Sequence, residues 1–311
     1  IMSNLTIVIY HYVREIKQSI YPNLKGLEIK GFKRQLDYLK KHYNIINPKD
    51  LINNTNPKLK DNSCLLTFDD GLKDHVDYVL NELNERNLKG CFFPTASTVN
   101  ENRLLEVHAI QFILAVTKNI SELISDLNLI CIKNGYTEEN IKTYWNSYTK
   151  PLNSQINIKE SKEVIYFKRM LQFILPSELR SEIIKIFFKK LLNTSASEFA
   201  KKLYMNKEDL KKLIDNGMYI GSHTYSHVHL NTLNYKEQEI EIDKSLSFLD
   251  EIGAATKNWI MCYPYGSYNE NTISILKQKN CIYGLTTEPG IANLKEKPFE
   301  LPRRDTINFP Q

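Results

Sequence analysis

Several familiar signposts are missing from these 311 residues. Five cysteines are present (Cys64, Cys91, Cys131, Cys262, Cys281), with no CxxC pair among them. An odd number without framework spacing argues against a disulfide scaffold and for thiols in a reducing compartment. No apolar run is long enough to span a bilayer, and the opening Leu5–Tyr10 run is too short even for a signal sequence. No basic stretch precedes it, so Met2 reads as the native start and Ile1 as a remnant ahead of it. The cytoplasm is then the expected compartment, with a trimmed export signal and membrane association left open. Neither sign of charge dominates: Lys plus Arg is 41, Asp plus Glu is 36, and the net charge is +5. The basic residues are scattered along solvated faces, so nucleic acid is not called for. There is no low-complexity tract, linker or internal repeat.

What is present begins with Leu65-Leu66-Thr67-Phe68-Asp69-Asp70-Gly71. A short apolar run reads as a buried strand, yet it ends on two acids. A buried carboxylate has to be paired, hydrogen-bonded or metal-bound. Consecutive strand side chains face opposite ways, so both acids serve one site only if the chain is already turning, as Gly71 permits. Before this run come a strand at 5–10 ending on His11, a helix at 32–41 and a short strand at 44–46. After it come a helix at 74–86 and a strand at 90–94. This alternation implies a parallel sheet or barrel. From 103 to 203 no strand is read. Successive helical stripes (Leu104, Leu105, His108, Phe112, Ile113 and Val116 on the first) mark an all-helical insertion within a single domain spanning 1–311. His108 reads as packed core. Tyr144, Trp145 and Tyr148 read as core in preference to a sugar-stacking surface.

Beyond the insertion, Asn206 caps a helix that stops at Asn216-Gly217. A strand at 218–222 leads into His223-Thr224-Tyr225-Ser226-His227. A helix at 239–252 should turn Ile240, Ile242, Leu246 and Leu249 inward. Strands at 259–263 and 282–286 flank a Pro264-Tyr265-Gly266 turn and a helix at 270–278, and a last strand lies near Leu301–Asp305. Two histidines at i and i+4 in a helical turn share a face and can share a metal. With one acid they leave an open position, the pattern of a catalytic zinc site, and the second acid is free to act as a base. Adjacent acids cannot flank a glycosidic bond, so a glycosidase pair is a poor reading. From position alone, His11 reads as core before site.

Thr67-Phe68-Asp69-Asp70-Gly71, His223-Thr224-Tyr225-Ser226-His227 and Tyr263-Pro264-Tyr265-Gly266 resemble, in order, the motifs of the polysaccharide deacetylase family (NodB homology, carbohydrate esterase 4). The likeness covers about 5–100 and 205–308. It implies an α/β fold, a distorted (β/α) barrel related to the TIM barrel, and metal-dependent N-deacetylation. It further implies Asp69 as base, Asp70, His223 and His227 as ligands of a divalent metal, usually zinc, and the Tyr265 N–H as oxyanion donor. No separate organic cofactor is implied. Two features depart from many members. Met261-Cys262-Tyr263 stands where an arginine precedes the Pro-Tyr-Gly turn, and no histidine follows His229. Tyr10-His11-Tyr12-Val13 resembles the branch whose catalytic histidine lies near the N-terminus, which makes His11 the acid. Leu301-Pro302-Arg303 resembles the late arginine that orients the catalytic aspartate, and motif register favours Arg303 over Arg304.

The implied reaction removes an acetyl group from an N-acylated amino sugar in a glycan or precursor, carried on a lipid or nucleotide or on neither. The alternatives are a deformylase of an N-formyl amino sugar and a non-catalytic carbohydrate-binding relative. A protein or membrane partner of the helical insertion is a separate option, its identity unknown.

Overall fold

The computed structural model describes residues 4–53, 57, 59–149 and 160–310. The Met2 start and part of the helical stretch therefore lie outside the described residues. Two compact units are present. One comprises Ile1–Glu15, Gly26–Arg103 and Ala200–Gln311, and the other Ile16–Lys25 and Leu104–Phe199.

Among the described residues, the first unit carries nine strands: β1 (Asn4–Tyr10), β2 (Asn44–Ile45), β3 (Ser63–Asp70), β4 (Cys91–Pro94), β5 (Tyr219–Ile220), β6 (Trp259–Cys262), β7 (Cys281–Leu285), β8 (Ala292–Asn293) and β9 (Arg304–Asp305). β9, β1, β3, β4 and β5 pair in parallel in that order, and β6 pairs in parallel with β7. Single parallel bridges, Ser222 to Met261 and Leu285 to Leu301, join the two sets and complete a distorted barrel. β2 adds to the start of β3, and β8 lies antiparallel on β1.

Alternation along the strands divides the core. Leu5, Ile7, Leu65, Cys91, Phe93, Tyr219, Ile260, Cys262 and Leu285 form one buried cluster. Val8, Tyr10, Leu66, Phe68, Phe92 and Ile220 form another, with Phe32, Leu36 and Leu39 of helix Ile29–His42 and Leu210 and Leu213 of helix Lys207–Asp215. The first set is the barrel interior and the second its helix-facing coat, as a period of two requires. Register sets the strand ends level: Tyr10 lies opposite Phe68, Phe68 opposite Phe92, Phe92 opposite Ile220 and Cys262 opposite Leu285. Everything just beyond these residues emerges at one rim, the usual place for chemistry on a parallel barrel.

Three local expectations are corrected. The helix after Gly71 opens with a π turn, His75–Val79, before its α segment Leu80–Glu85. In helix Tyr235–Glu251, Ile240 is exposed, while Gln238, Ile242, Ser245, Phe248 and Leu249 are buried. The capping box at Asn234 and Glu237 starts that helix four residues earlier than expected, and its neighbours cover Ile242 but not Ile240. Tyr144, Trp145 and Tyr148 are only half-buried, because helix Glu138–Tyr148 buries none of its residues.

The second unit is helical in its described residues. Helices Glu106–Val116, Ile120–Lys133, Glu138–Tyr148, Lys162–Arg169 and Ser177–Leu192 enclose aromatic contacts of Phe112 and Phe188 with Phe199, and of Phe167 with Phe187. Tyr21, from the short Ile16–Lys25 stretch, packs edge-on against Phe112 at 4.8 Å. His108 is buried there. Among the described residues, no helix is long and apolar enough to cross a membrane.

Candidate active site

The site grows from the end of β3. Asp69 follows Leu65 and Thr67 on the interior face, so alternation would send Asp70 to the coat. Asp70 instead takes a left-handed φ of 72°, and Gly71 follows at 69°. A side chain at 71 would also meet Pro94, whose Cβ lies 2.8 Å from the position a Cβ would take. The turn brings both carboxylates to one place: the His11 Nε2 lies 4.0 Å from Asp69 Oδ2 and 3.9 Å from Asp70 Oδ2.

Ten described residues other than glycine have positive φ, and six are asparagines, which tolerate it. The other four are Asp70, Thr224, His227 and Tyr265. Strain of this kind collects where surrounding structure enforces a functional geometry. It also corrects the expected helical turn: His223 and His227 lie on an irregular loop, shaped by left-handed Thr224 and His227. Glu241 holds that loop by accepting from the Tyr225 and Ser226 N–H groups (3.2 and 2.9 Å), and Thr224 Oγ1 accepts from the His227 N–H (3.0 Å). The result is still convergent. His223 Nε2 and His227 Nε2 each lie 3.2 Å from Asp70 Oδ1, and all three side chains are buried.

The donor set suits a cation. His223 Nδ1 is 2.7 Å from the Cys262 carbonyl, which can only accept, so that nitrogen carries the proton. A charged ring donates from Nε2 to Asp70, and a neutral ring would instead offer a bound cation its Nε2 lone pair. Burial alone would lower the His223 pKa. Cys262 and the bond to Asp70 outweigh it and lift the value well above that of an ordinary histidine. Two imidazoles and a carboxylate are a first-row divalent metal set, with room for water. Asp69, His223 and Cys262 also lie close enough to form a ligand group. Asp69 is already held on both oxygens by Arg303, which leaves the Asp70 set the better fit.

Arg303, not Arg304, reaches the site. It is buried, its Nη1 and Nη2 lie 2.9 and 2.8 Å from the two Asp69 oxygens, and its Nε donates to the Thr286 carbonyl at 2.7 Å. Burial pushes the Asp69 pKa up, but the guanidinium overrides this and holds it below the ordinary value. Cys262 Sγ adds a contact at 3.3 Å. The Tyr265 ring sits against His227 at 4.8 Å and stacks on His229 at 4.0 Å. Sequence reading places Cys262 among the thiols and in a motif departure, and it misses Glu241. Glu241 is hidden among the many charges of its helix.

The family model for polysaccharide deacetylase matches residues 56–130 and 176–283. This chain belongs to the polysaccharide deacetylase family. Among curated relatives, YxkH of Bacillus subtilis (strain 168) is 32% identical over 102 residues, which is 33% of this chain and 36% of YxkH. The chain thus aligns with only about a third of that relative's length. Two solved structures share the fold of this deacetylase-family chain. The Streptococcus pyogenes deacetylase PplD in complex with acetate has a TM-score of 0.60 at 16% identity, covering 98% of this chain and 93% of its own. IcaB from Ammonifex degensii has 0.56 at 17% identity, covering 97% and 91%.

The Arg303 pair yields a stability test. Arg303→Met should destabilise the protein by about 3–5 kcal/mol at neutral pH, because it strands a buried carboxylate. Since the pair depresses the Asp69 pKa, its contribution is complete above the ordinary value of 3.8 and fades as pH falls through the lower folded value. Denaturant titrations should therefore show the gap between wild type and variant closing only in acid. A gap unchanged by pH would dissociate it from the carboxylate.

Proposed function

We propose that this family member hydrolyses the N-acetyl group of an amino sugar in a glycan or glycan precursor. The observation that carries the reading is the unequal hold on two adjacent acids: Arg303 clamps Asp69 on both oxygens, while Asp70 faces two imidazole nitrogens. Asp70, His223 and His227 would hold a divalent ion, zinc being the first choice for such ligands. When bound, the ion supplies Lewis-acid chemistry to water and to the amide carbonyl.

The chain's own residues do the rest. Asp69 stays ionised and keeps lone pairs beyond those given to Arg303, so it can take a proton from the attacking water. The Tyr265 N–H, on a backbone held left-handed, stabilises the oxyanion. His11, half exposed and beside both acids, gives a proton to the leaving amine as the carbon–nitrogen bond breaks. The products are acetate and a free amino sugar. An N-formyl group would undergo the same steps and yield formate, and a lipid or nucleotide carrier is compatible with either. A purely carbohydrate-binding relative would have no need of an intact base, ligand set and acid.

Three outcomes are expected. Acetate and formate release over a panel of N-acyl sugars, oligomers and carrier-linked precursors should show acetate release from at least one N-acetyl substrate. Release of neither acid across the panel would sink the reading. Chelation should abolish that activity and added zinc restore it, with elemental analysis tracking the metal. Asp69→Asn should keep the metal yet lose activity by roughly 10²–10⁴-fold. Loss of metal from Asp69→Asn, but not from Asp70→Asn, would exchange the two acids' roles.

A further inference from the structure

His75 is used nowhere in this scheme, yet its placement is hard to account for as packing. The side chain is fully buried, edge-on to Phe68 at 5.6 Å and Phe92 at 5.7 Å. Its Nε2 lies 3.0 Å from the backbone carbonyl of His11. A carbonyl only accepts, so Nε2 carries the proton, and Nδ1 is left buried with no hydrogen-bond partner. Such an orphan is destabilising. A phenylalanine or leucine would fill the same apolar gap without that cost.

The neighbouring residue points the same way. Asp74 opens a helix, where an aspartate usually caps the first turn, but its side chain makes no capping bond. It reaches instead to the segment after β1. Asp74 Oδ2 accepts from the Val13 N–H at 3.1 Å and from Arg14 Nε at 2.8 Å, and Arg14 Nη2 bonds its other oxygen. On the far side, Leu27 N–H donates to the Tyr12 carbonyl at 3.0 Å, and Arg14 N–H donates to the Leu27 carbonyl at 3.1 Å. The helix begins as a π turn at His75, an irregularity that often accompanies functional sites. The backbone of 11–14 is thus gripped at successive residues, while the His11 ring itself is 45% exposed.

We propose that His75, with Asp74 as its second grip, is a positioning residue that aims the His11 ring by fixing the His11 carbonyl. The proposal rests on the reading of His11 as the acid. It requires His75 to stay neutral as the Nε2–H form, in line with burial lowering its pKa.

Two measurements on the full chain test it. In the wild-type protein, the ¹⁵N shifts of the His75 ring, assigned by their loss in His75→Gln, should report the neutral Nε2–H tautomer at neutral pH. An Nδ1–H tautomer or a charged ring overturns the clamp without any substrate being needed. In acetate release from an N-acetylglucosamine oligomer, His75→Phe should lower kcat at least about tenfold, as a small misalignment of a reacting group does. KM and metal content should be unchanged. His75→Gln, whose amide N–H can reach the same carbonyl, should recover most of kcat. On a His11→Ala background, His75→Phe should cost nothing further. An equal loss on both backgrounds, or no recovery with glutamine, overturns the clamp and leaves the His11 reading standing. Full kcat in His11→Ala alone overturns both.

Discussion

The site depends on a break in strand alternation. Two residues in succession on a strand face opposite sides, and here both must serve one place. The left-handed turn at Asp70 and Gly71 resolves the conflict. Asp69 keeps its interior position, where the barrel offers Arg303, and Asp70 is swung back over the rim towards His223 and His227. Pro94, tight against Gly71, leaves no space for a side chain at the pivot. Each acid therefore sits in its own electrostatic setting although one peptide bond separates them.

Those settings assign different work to identical groups. A guanidinium on both oxygens keeps Asp69 charged in a buried place where an isolated carboxylate would be neutral. Asp70 meets ring nitrogens, one of them on a ring whose other nitrogen is committed to the Cys262 carbonyl. Orientation of a ligand histidine by a carbonyl behind it is the usual means of fixing its tautomer. Cys262 contributes its carbonyl to His223 and its thiol to Asp69, so this one residue touches both halves of the site. Arg303 arrives from the opposite end of the chain and meets Asp69 from within the barrel.

Backbone strain marks the same place independently. Outside asparagine and glycine, the left-handed residues among those described are Asp70, Thr224, His227 and Tyr265, drawn from three separate places in the chain. Glu241, the level strand register and the stacking of Tyr265 on His229 hold them in place. The helical unit shows no comparable concentration among its described residues, and its aromatic contacts, with Tyr21 drawn from a distant short stretch, are those of a packed core.

By itself the sequence determined the strand and helix periods, the positions of the caps at Asn206 and Asn216, and the motif residues at strand ends. These are local properties, set by side-chain spacing and by which residues tolerate a turn. It also placed the choice of Arg303 over Arg304 on register, and only the barrel's closure shows Arg303 turned inward onto Asp69. The position of His11 was ambiguous in sequence, because a histidine after a buried strand suits a core or a site. Pairing of β1 with β3, Tyr10 against Phe68, decided that it stands beside both acids. The helical turn expected for His223 and His227 failed because spacing of four also fits a loop with two left-handed residues. The exposure of Ile240 and the half-burial of Trp145 were likewise beyond the pattern, since a periodic stripe shows that a helix has an apolar face but not how deeply its neighbours cover it. His75 and Asp74 were illegible because their partners lie some sixty residues away and, the Arg14 guanidinium apart, are backbone groups, which leave no mark on the sequence.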